Sequence, residues 1–257
     1  MESKTILIHH HIFKNAGTSF CYALKQYFQD QFLEYDLPNS RIITQKHLED
    51  FIQEHLEVLA ISGHHICLQT PQTANYQTIS SILLRQPLAR IKSIYKFEQK
   101  QQANTSGAIQ AKKLNFKEYV LWRLDATPNM LGNYQTHYCS RSKQADICKK
   151  PTEEELQIAI ANLKKCAIVG TVERYEDFLQ LALERLRQFF PDITLGYIRL
   201  NKTSPSQQNI TDIKTNLLEE LGEQLVAELE AKNQLDRQLY DVAEQILTTN
   251  LKSFTRV

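Results

Sequence analysis

Four short apolar runs rich in β-branched residues punctuate the chain, at residues 5–8, 58–61, 78–84 and 167–170. Their length and turn-forming borders predict buried strands. Between them apolar positions recur at helical spacing, as in Phe20, Ala23, Leu24, Tyr27 and Phe28. Further helices are expected over 45–54, from Pro87 onward, and over 116–124, 129–138 and 153–163. A helix over 175–190 carries the stripe Phe178, Leu179, Ala182, Leu186, Phe189 and Phe190. Glu176 and Asp177 open it, Arg185 and Arg187 close it, and Pro191 stops it, as the helix dipole and proline's missing N–H require. From Asp212 the pattern is helical to near the end, with its acidic residues read as a solvated face. A polar connection around Pro38 and Asn39 follows the first helix, and residues 98–113, polar throughout, predict a mobile loop over a substrate cleft.

Composition narrows the class. A chain of 257 residues with 42% hydrophobic and 23% charged residues is an ordinary globular protein, read as a single domain over 1–257. A formal net charge of +1 gives no global case for nucleic acid, so any polyanion must be met by a local patch. With no apolar window long enough to cross a bilayer and no signal-peptide pattern, a cytoplasmic location is expected. The five cysteines, Cys21, Cys67, Cys139, Cys148 and Cys166, lie mostly among apolar neighbours, as reduced core thiols do. Only Cys139 and Cys148 are near enough in sequence for a local bridge. No C-x-x-C pair offers zinc-ligand spacing, and no metal is expected.

The chemistry gathers where predicted strands end. The first runs into His9-His10-His11-Ile12-Phe13 and then Lys14-Asn15-Ala16-Gly17-Thr18-Ser19, a turn that opens a helix. Unpaired N–H groups and the positive dipole end of that helix make an anion cradle. Gly17 permits close approach, Thr18 and Ser19 add hydroxyls, and Lys14 adds a full charge. The nucleotide-binding pattern G-x-x-x-x-G-K-[ST] is absent, because Lys14 precedes the glycine. The same residues also suit a short connection with a solvated lysine. The second strand ends in Ser62-Gly63-His64-His65, where a histidine is placed to take a proton from a hydroxyl or simply to satisfy a loop. The third ends at Arg85, with Ser93 about two turns into the helix that follows. An arginine fork and a hydroxyl there suit a second phosphate. Arg90, Lys92, Lys96, Lys100, Lys112 and Lys113 either line a basic groove or form a solvated face.

In this order the motifs resemble the carbohydrate sulfotransferases, nearest to the heparan and uronyl 2-O-sulfotransferases and their bacterial relatives. The family's first loop, P-K-T-[GA]-[GS]-T-S, looks like Phe13 to Ser19. Its R-[DN]-P-x-x-R-x-x-S-x-Y motif looks like Arg85 to Tyr95. Weaker likenesses run from Ile168 to Phe190, through Asn201-Lys202-Thr203, and from Asn233 to Tyr240. The resemblance implies an α/β fold of three layers, α/β/α, with a central parallel sheet of the P-loop nucleotide-kinase type. It implies 3′-phosphoadenosine 5′-phosphosulfate as donor, adenosine 3′,5′-bisphosphate as product and a glycan or other hydroxyl-bearing acceptor. The residues implied for the donor are Lys14, Asn15, Ala16, Gly17, Thr18, Ser19, Arg85, Ser93, Lys202 and Thr203. His64 is implied as general base and Lys14 as stabiliser of the leaving oxygen, with His65, Asn133 and His137 toward the acceptor. Phe13, Asn15 and Gln86 depart from the family pattern, and His137 stands where many relatives have arginine. A silent nucleotide- or glycan-binding module is the alternative, and a kinase-like phosphotransferase lacks its Walker lysine and magnesium ligands.

Overall fold

The computed structural model describes residues 4–144, 150–196 and 210–254. Strands β1 (Lys4–His10), β2 (Phe32–Glu34), β3 (Ala60–Gly63), β4 (Tyr76–Leu84) and β5 (Ile168–Thr171) form one parallel sheet in the order β2-β3-β1-β4-β5. The first strand is central, and its last residue, His10, lies opposite Gly63 on one side and Ile82 on the other. Helices α1 (Gly17–Phe28), α2 (Gln45–Glu54), α3 (Pro87–Lys100), α4 (Ser106–Lys113), α5 (Phe116–Ala126) and α6 (Pro128–Leu131) are followed by α7 (Tyr134–Ser140) and α8 (Glu153–Lys165). Then come α9 (Tyr175–Leu186), α10 (Ile210–Leu221), α11 (Glu223–Lys232) and α12 (Gln234–Phe254).

Alternation along the strands sorts the core into two layers. Leu7, Ala60, Leu83 and Ile168 point to one face, where Phe20, Leu24 and Phe28 of α1 and Phe178, Ala182 and Leu186 of α9 cover them. Their neighbours point to the other. Ile6, Ile8 and Ile61 meet Leu48 and Ile52 of α2, while Ile82, Leu84 and Val169 meet Tyr138 of α7 and Leu156, Ala159 and Leu163 of α8. Helix α12 closes the β5 end of the sheet, sending Leu247 to the first layer and Leu239, Tyr240 and Ala243 to the second. A parallel sheet covered on both faces buries most of its apolar strand positions, which is why its strands read as continuous apolar runs. Among the described residues, no helix is long and apolar enough to cross a membrane.

Several expectations are corrected. The polar stretch 98–113 is the last turn of α3, a short connection over 101–105, and the whole of α4, which Thr105 caps by accepting from the Ala108 N–H at 3.2 Å. Glu98 is buried in an ion pair with Arg123, so its polarity marked an internal partner and not exposure. The helix expected over 129–138 is broken at Gly132 and Asn133, the latter in the left-handed region at φ 46°. The terminal helix is three, parted at Gly222 and Asn233, and the one expected over 175–190 ends at Leu186. The edge strand β2 was not foreseen: three residues with one buried side chain, Phe32, are too short to show a period. The strand expected at 58–61 runs from Ala60 to Gly63, and those expected at 5–8, 78–84 and 167–170 shift or lengthen by at most two residues at either end. Cys139 is a buried free thiol, while Cys148 lies outside the described residues.

Candidate functional site

The turn after β1 is where sequence and backbone meet most tightly. Lys14 and Ala16 both adopt left-handed geometry, at φ 67° and 58°, so two L-residues carry the strain that a glycine would have relieved. Gly17 is needed for space. A Cβ there would lie 2.0 Å from the His11 ring, which packs against the first residue of α1. No side chain caps α1, and Ser19 turns its N–H back to the Ala16 carbonyl at 3.1 Å. The helix therefore opens toward the loop with its remaining first-turn donors free, an electropositive terminus. Thr18 is exposed beside it, whereas Ser19 is buried.

Two arginines hold this turn from α3 and the strand before it. Arg85 donates from Nη1 to the Lys14 carbonyl at 3.1 Å, and Arg90 from Nε to the Phe13 carbonyl at 3.1 Å. Arg90 is only 2% exposed, stacks over the Tyr134 ring at 3.9 Å and donates to the Met130 carbonyl at 3.0 Å. It is neither groove nor solvated face, and the basic-groove expectation loses its first member. Lys92 is likewise engaged, with Glu220 at 2.7 Å. Arg85 Nε and Arg90 Nη2 remain buried without a hydrogen-bond partner. The Lys14 ammonium lies 4.1 Å over the Phe97 ring. Burial first, then the charges of Arg85 and Arg90, bring its pKa down to about 8. Ser93 is half-buried on α3, one turn from Arg90 and one from Phe97, so it shares their face.

Gln135, fully buried on α7, ties the two motifs together. Its Oε1 accepts from Asn15 Nδ2 at 2.7 Å and from the Arg85 N–H at 2.8 Å, while its Nε2 donates to the Arg85 carbonyl at 2.8 Å. Asn15 also donates to the Leu83 carbonyl at 2.9 Å and its N–H to the Ile12 carbonyl at 3.1 Å. All its donors face inward, which makes it a strut of the loop. Gln86 caps α3 by accepting from the Ala89 N–H at 2.7 Å, and Glu173 accepts from the Gln86 N–H at 3.2 Å. The α3 terminus is thereby closed, in contrast to that of α1. Burial pushes the Glu173 carboxyl up, against the pull of Arg85.

The histidines form the other half of the site. His64 follows β3, its N–H held by Asp36 at 2.7 Å. Its Nδ1 lies 3.1 Å from the His11 carbonyl, which only accepts, so Nδ1 is the N–H nitrogen, and in that tautomer Nε2 holds the lone pair. The His11 ring packs against it, tilted by 32° at 4.0 Å between centroids, and burial, His64 and Lys14 together push His11 down to about 3. A cleft of about 310 Å³ opens here, lined by His11, Thr18, Tyr22, Glu34, Asp36 and His64 among others. His65 is outside that lining, its Nδ1 buried without a partner, and burial with Arg141 lowers it to about 4. Despite the crowding of imidazoles, no three His, Cys, Asp or Glu side chains among the described residues are grouped as a metal would need.

Of the remaining expected residues, Asn133 accepts from the N–H groups of Leu235 at 3.0 Å and Asp236 at 3.1 Å, capping α12. Asp236 returns the favour to α7, accepting from the N–H groups of Gln135 at 3.0 Å and Thr136 at 2.7 Å. His137 is half-buried on α7, and Lys202 and Thr203 lie outside the described residues. Sequence reasoning missed His11, Glu34, Asp36, Gln135 and Glu173 as parts of the site. His11 had a signal in its place between strand and cradle, and Glu173 in the likeness from Ile168 to Phe190.

No family model matches the chain. It is 27% identical over 249 residues to an uncharacterized protein of Archaeoglobus fulgidus, an alignment covering 93% of this chain and 96% of that one. The two are alike along nearly their whole lengths.

Proposed function

We propose that this protein moves a sulfuryl group from 3′-phosphoadenosine 5′-phosphosulfate to a hydroxyl of a carbohydrate or other alcohol, on a sheet of the nucleotide-kinase-like sulfotransferase type. One observation carries the reading: Lys14, Arg85 and Arg90 crowd an uncapped helix terminus, and both guanidinium groups keep a buried N–H without a partner. Like charges confined together with spare donors favour an anion between them. In this reading Gly17, Thr18 and Ser19 receive the 5′-phosphosulfate, and Arg85 with Ser93 the 3′-phosphate. The resemblance assigns Lys202 and Thr203, which lie outside the described residues, to the 3′-phosphate as well, and Asn15 acts by holding the loop. The acceptor hydroxyl gives its proton to His64 Nε2 as its oxygen bonds to sulfur. The sulfur–oxygen bond to phosphate breaks, its electron pair going to the phosphate oxygen, where the Lys14 ammonium offsets the charge. Adenosine 3′,5′-bisphosphate and a sulfate ester result.

Calorimetry with adenosine 3′,5′-bisphosphate and transfer assays with radiolabelled donor test this. Arg85→Ala is expected to weaken the bisphosphate about tenfold more than adenosine 5′-monophosphate, because only the former presents a 3′-phosphate to the fork. His64→Ala is expected to lose on the order of a hundred- to ten-thousand-fold in transfer, and His65→Ala far less. Absence of heat with the nucleotide ends the proposal. Binding without transfer to any acceptor favours the silent module, and magnesium-dependent use of ATP the kinase.

A further inference from the structure

The charges of the site are divided between two sides of β1. The cationic side lies over β1 and β4, with Lys14, Arg85 and, along α3, Lys96 and Lys100. The cleft beside His64 lies over β3 and the edge strand β2, and its charge is of the other sign. Glu34 ends β2 and Asp36 follows it two residues later; both line the cleft, against a single lysine, Lys25 of α1. His11 adds no cation at neutral pH, since burial holds it down to about 3. Both carboxylates also raise the pKa of the Cys21 thiol at the cleft wall, after burial itself, so their field reaches inward. Asp36 spends one oxygen on the His64 N–H, and among the described residues neither acid forms an ion pair. Tyr22 supplies an aromatic wall, and Ser62 lines the cleft at the end of β3.

We infer that the acceptor is a small hydroxyl compound bearing a protonated amine, seated beside His64 with its cation toward Glu34 and Asp36, and not a polyanionic glycan. This rests on the sulfuryl-transfer reading and narrows it. A cleft of about 310 Å³ is at the small end of ligand sites, with room for one compact molecule. A chain of uronates or sulfates would have to lay its charges against two carboxylates to bring a hydroxyl to His64. On the cleft side such a chain finds only Lys25 and the buried Arg141, which donates to the His64 carbonyl at 3.2 Å; the other cations lie across β1, where Arg90 is already spent on carbonyls and Lys92 on Glu220. An ammonium instead gains from both acids and keeps clear of Lys14 and Arg85.

Initial rates with radiolabelled donor, measured on the full chain with D-glucosamine, D-glucose and polyglucuronate as acceptors, test this beside bisphosphate calorimetry. The expected result is a kcat/KM for glucosamine about tenfold or more above that for glucose, with no transfer to polyglucuronate. In a Glu34→Gln, Asp36→Asn double variant the preference should vanish through KM for glucosamine, while bisphosphate heat and melting temperature stay at wild type. Asparagine at 36 keeps an oxygen for the His64 N–H. Equal or better use of glucose or polyglucuronate overturns the inference and leaves sulfuryl transfer standing. So does a preference that survives the double variant; transfer to none of the three with nucleotide heat intact overturns the inference and favours the silent module. Loss of that heat in the wild-type protein overturns the parent reading, and this one with it.

Discussion

Single side chains decide whether the two anion motifs act together, and Gln135 is the one on which this turns. Its amide satisfies both main-chain groups of Arg85 and one donor of Asn15, with Gln135 and Asn15 buried and Arg85 half-buried. Gln135→Ala therefore leaves three polar groups without their partner, of which the buried Asn15 donor costs about 1–3 kcal/mol and the part-buried Arg85 groups less. Some relaxation will recover part of this, so a loss of about 2–4 kcal/mol in urea unfolding is expected. Bisphosphate affinity should fall as well, because Arg85 loses its anchor. A variant as stable as wild type would mean the amide is dispensable. Arg90 teaches the converse. In the sequence it is one cation among several on a helix, yet its guanidinium is consumed by two carbonyls and a tyrosine ring. Whether a charge is solvated depends on what packs beside it, and that partner lies 40 residues away at Met130.

At the level of elements, capping and periodicity were legible and breaks were not. Residues 45–54 form α2 with the expected bounds, and its cap, Thr44 with His47, closes reciprocally. By contrast, the polar face of α3 and α4 hid a buried network. Arg123 donates from Nη2 to both Glu98 oxygens, at 2.5 and 2.6 Å, and from Nε to the Tyr119 hydroxyl, which itself bonds Glu98. Gly107 of α4 passes so near that an added Cβ would lie 2.0 Å from Arg123. This cluster pins α4 and α5 to α3, the helix that carries Arg90, Ser93 and Phe97. Glu98→Ala leaves a guanidinium buried without its counter-charge and should cost about 3–5 kcal/mol, read from denaturant midpoints. Replacing Glu98 and Arg123 together by apolar residues of like volume should cost much less. Equal losses in the single and double variants would show that the charge pair is not the cause.

For the whole molecule the buried histidines set the response to pH. Burial lowers His10 to about 4, and His11 to about 3 with help from His64 and Lys14. Their unfolded value is near 6.5, so below that pH the unfolded chain takes up protons that the folded one refuses. Stability is then complete above about pH 6.5 and declines as pH falls toward 4 and 3, by up to about 1.4 kcal/mol per pH unit for each such ring. Urea midpoints measured at pH 7 and pH 5.5 should therefore differ, the acid one lower; a flat profile or one rising toward acid contradicts this.

The order of apolar runs and helical stripes is written locally, because burial on both faces of a parallel sheet selects β-branched runs and each helix must show one apolar stripe. So the alternating elements, the turn at Lys14 to Ser19, the Gly63-His64 step and the Arg85 terminus could all be read from neighbouring residues alone. What required the folded chain was everything settled by contact across the sheet. The joining of Asn15 and Arg85 through Gln135, the burial of Arg90, and the facing of His64 by Glu34 and Asp36 each depend on the strand order β2-β3-β1-β4-β5. That order brings together residues tens of positions apart, and no spacing along one element encodes it.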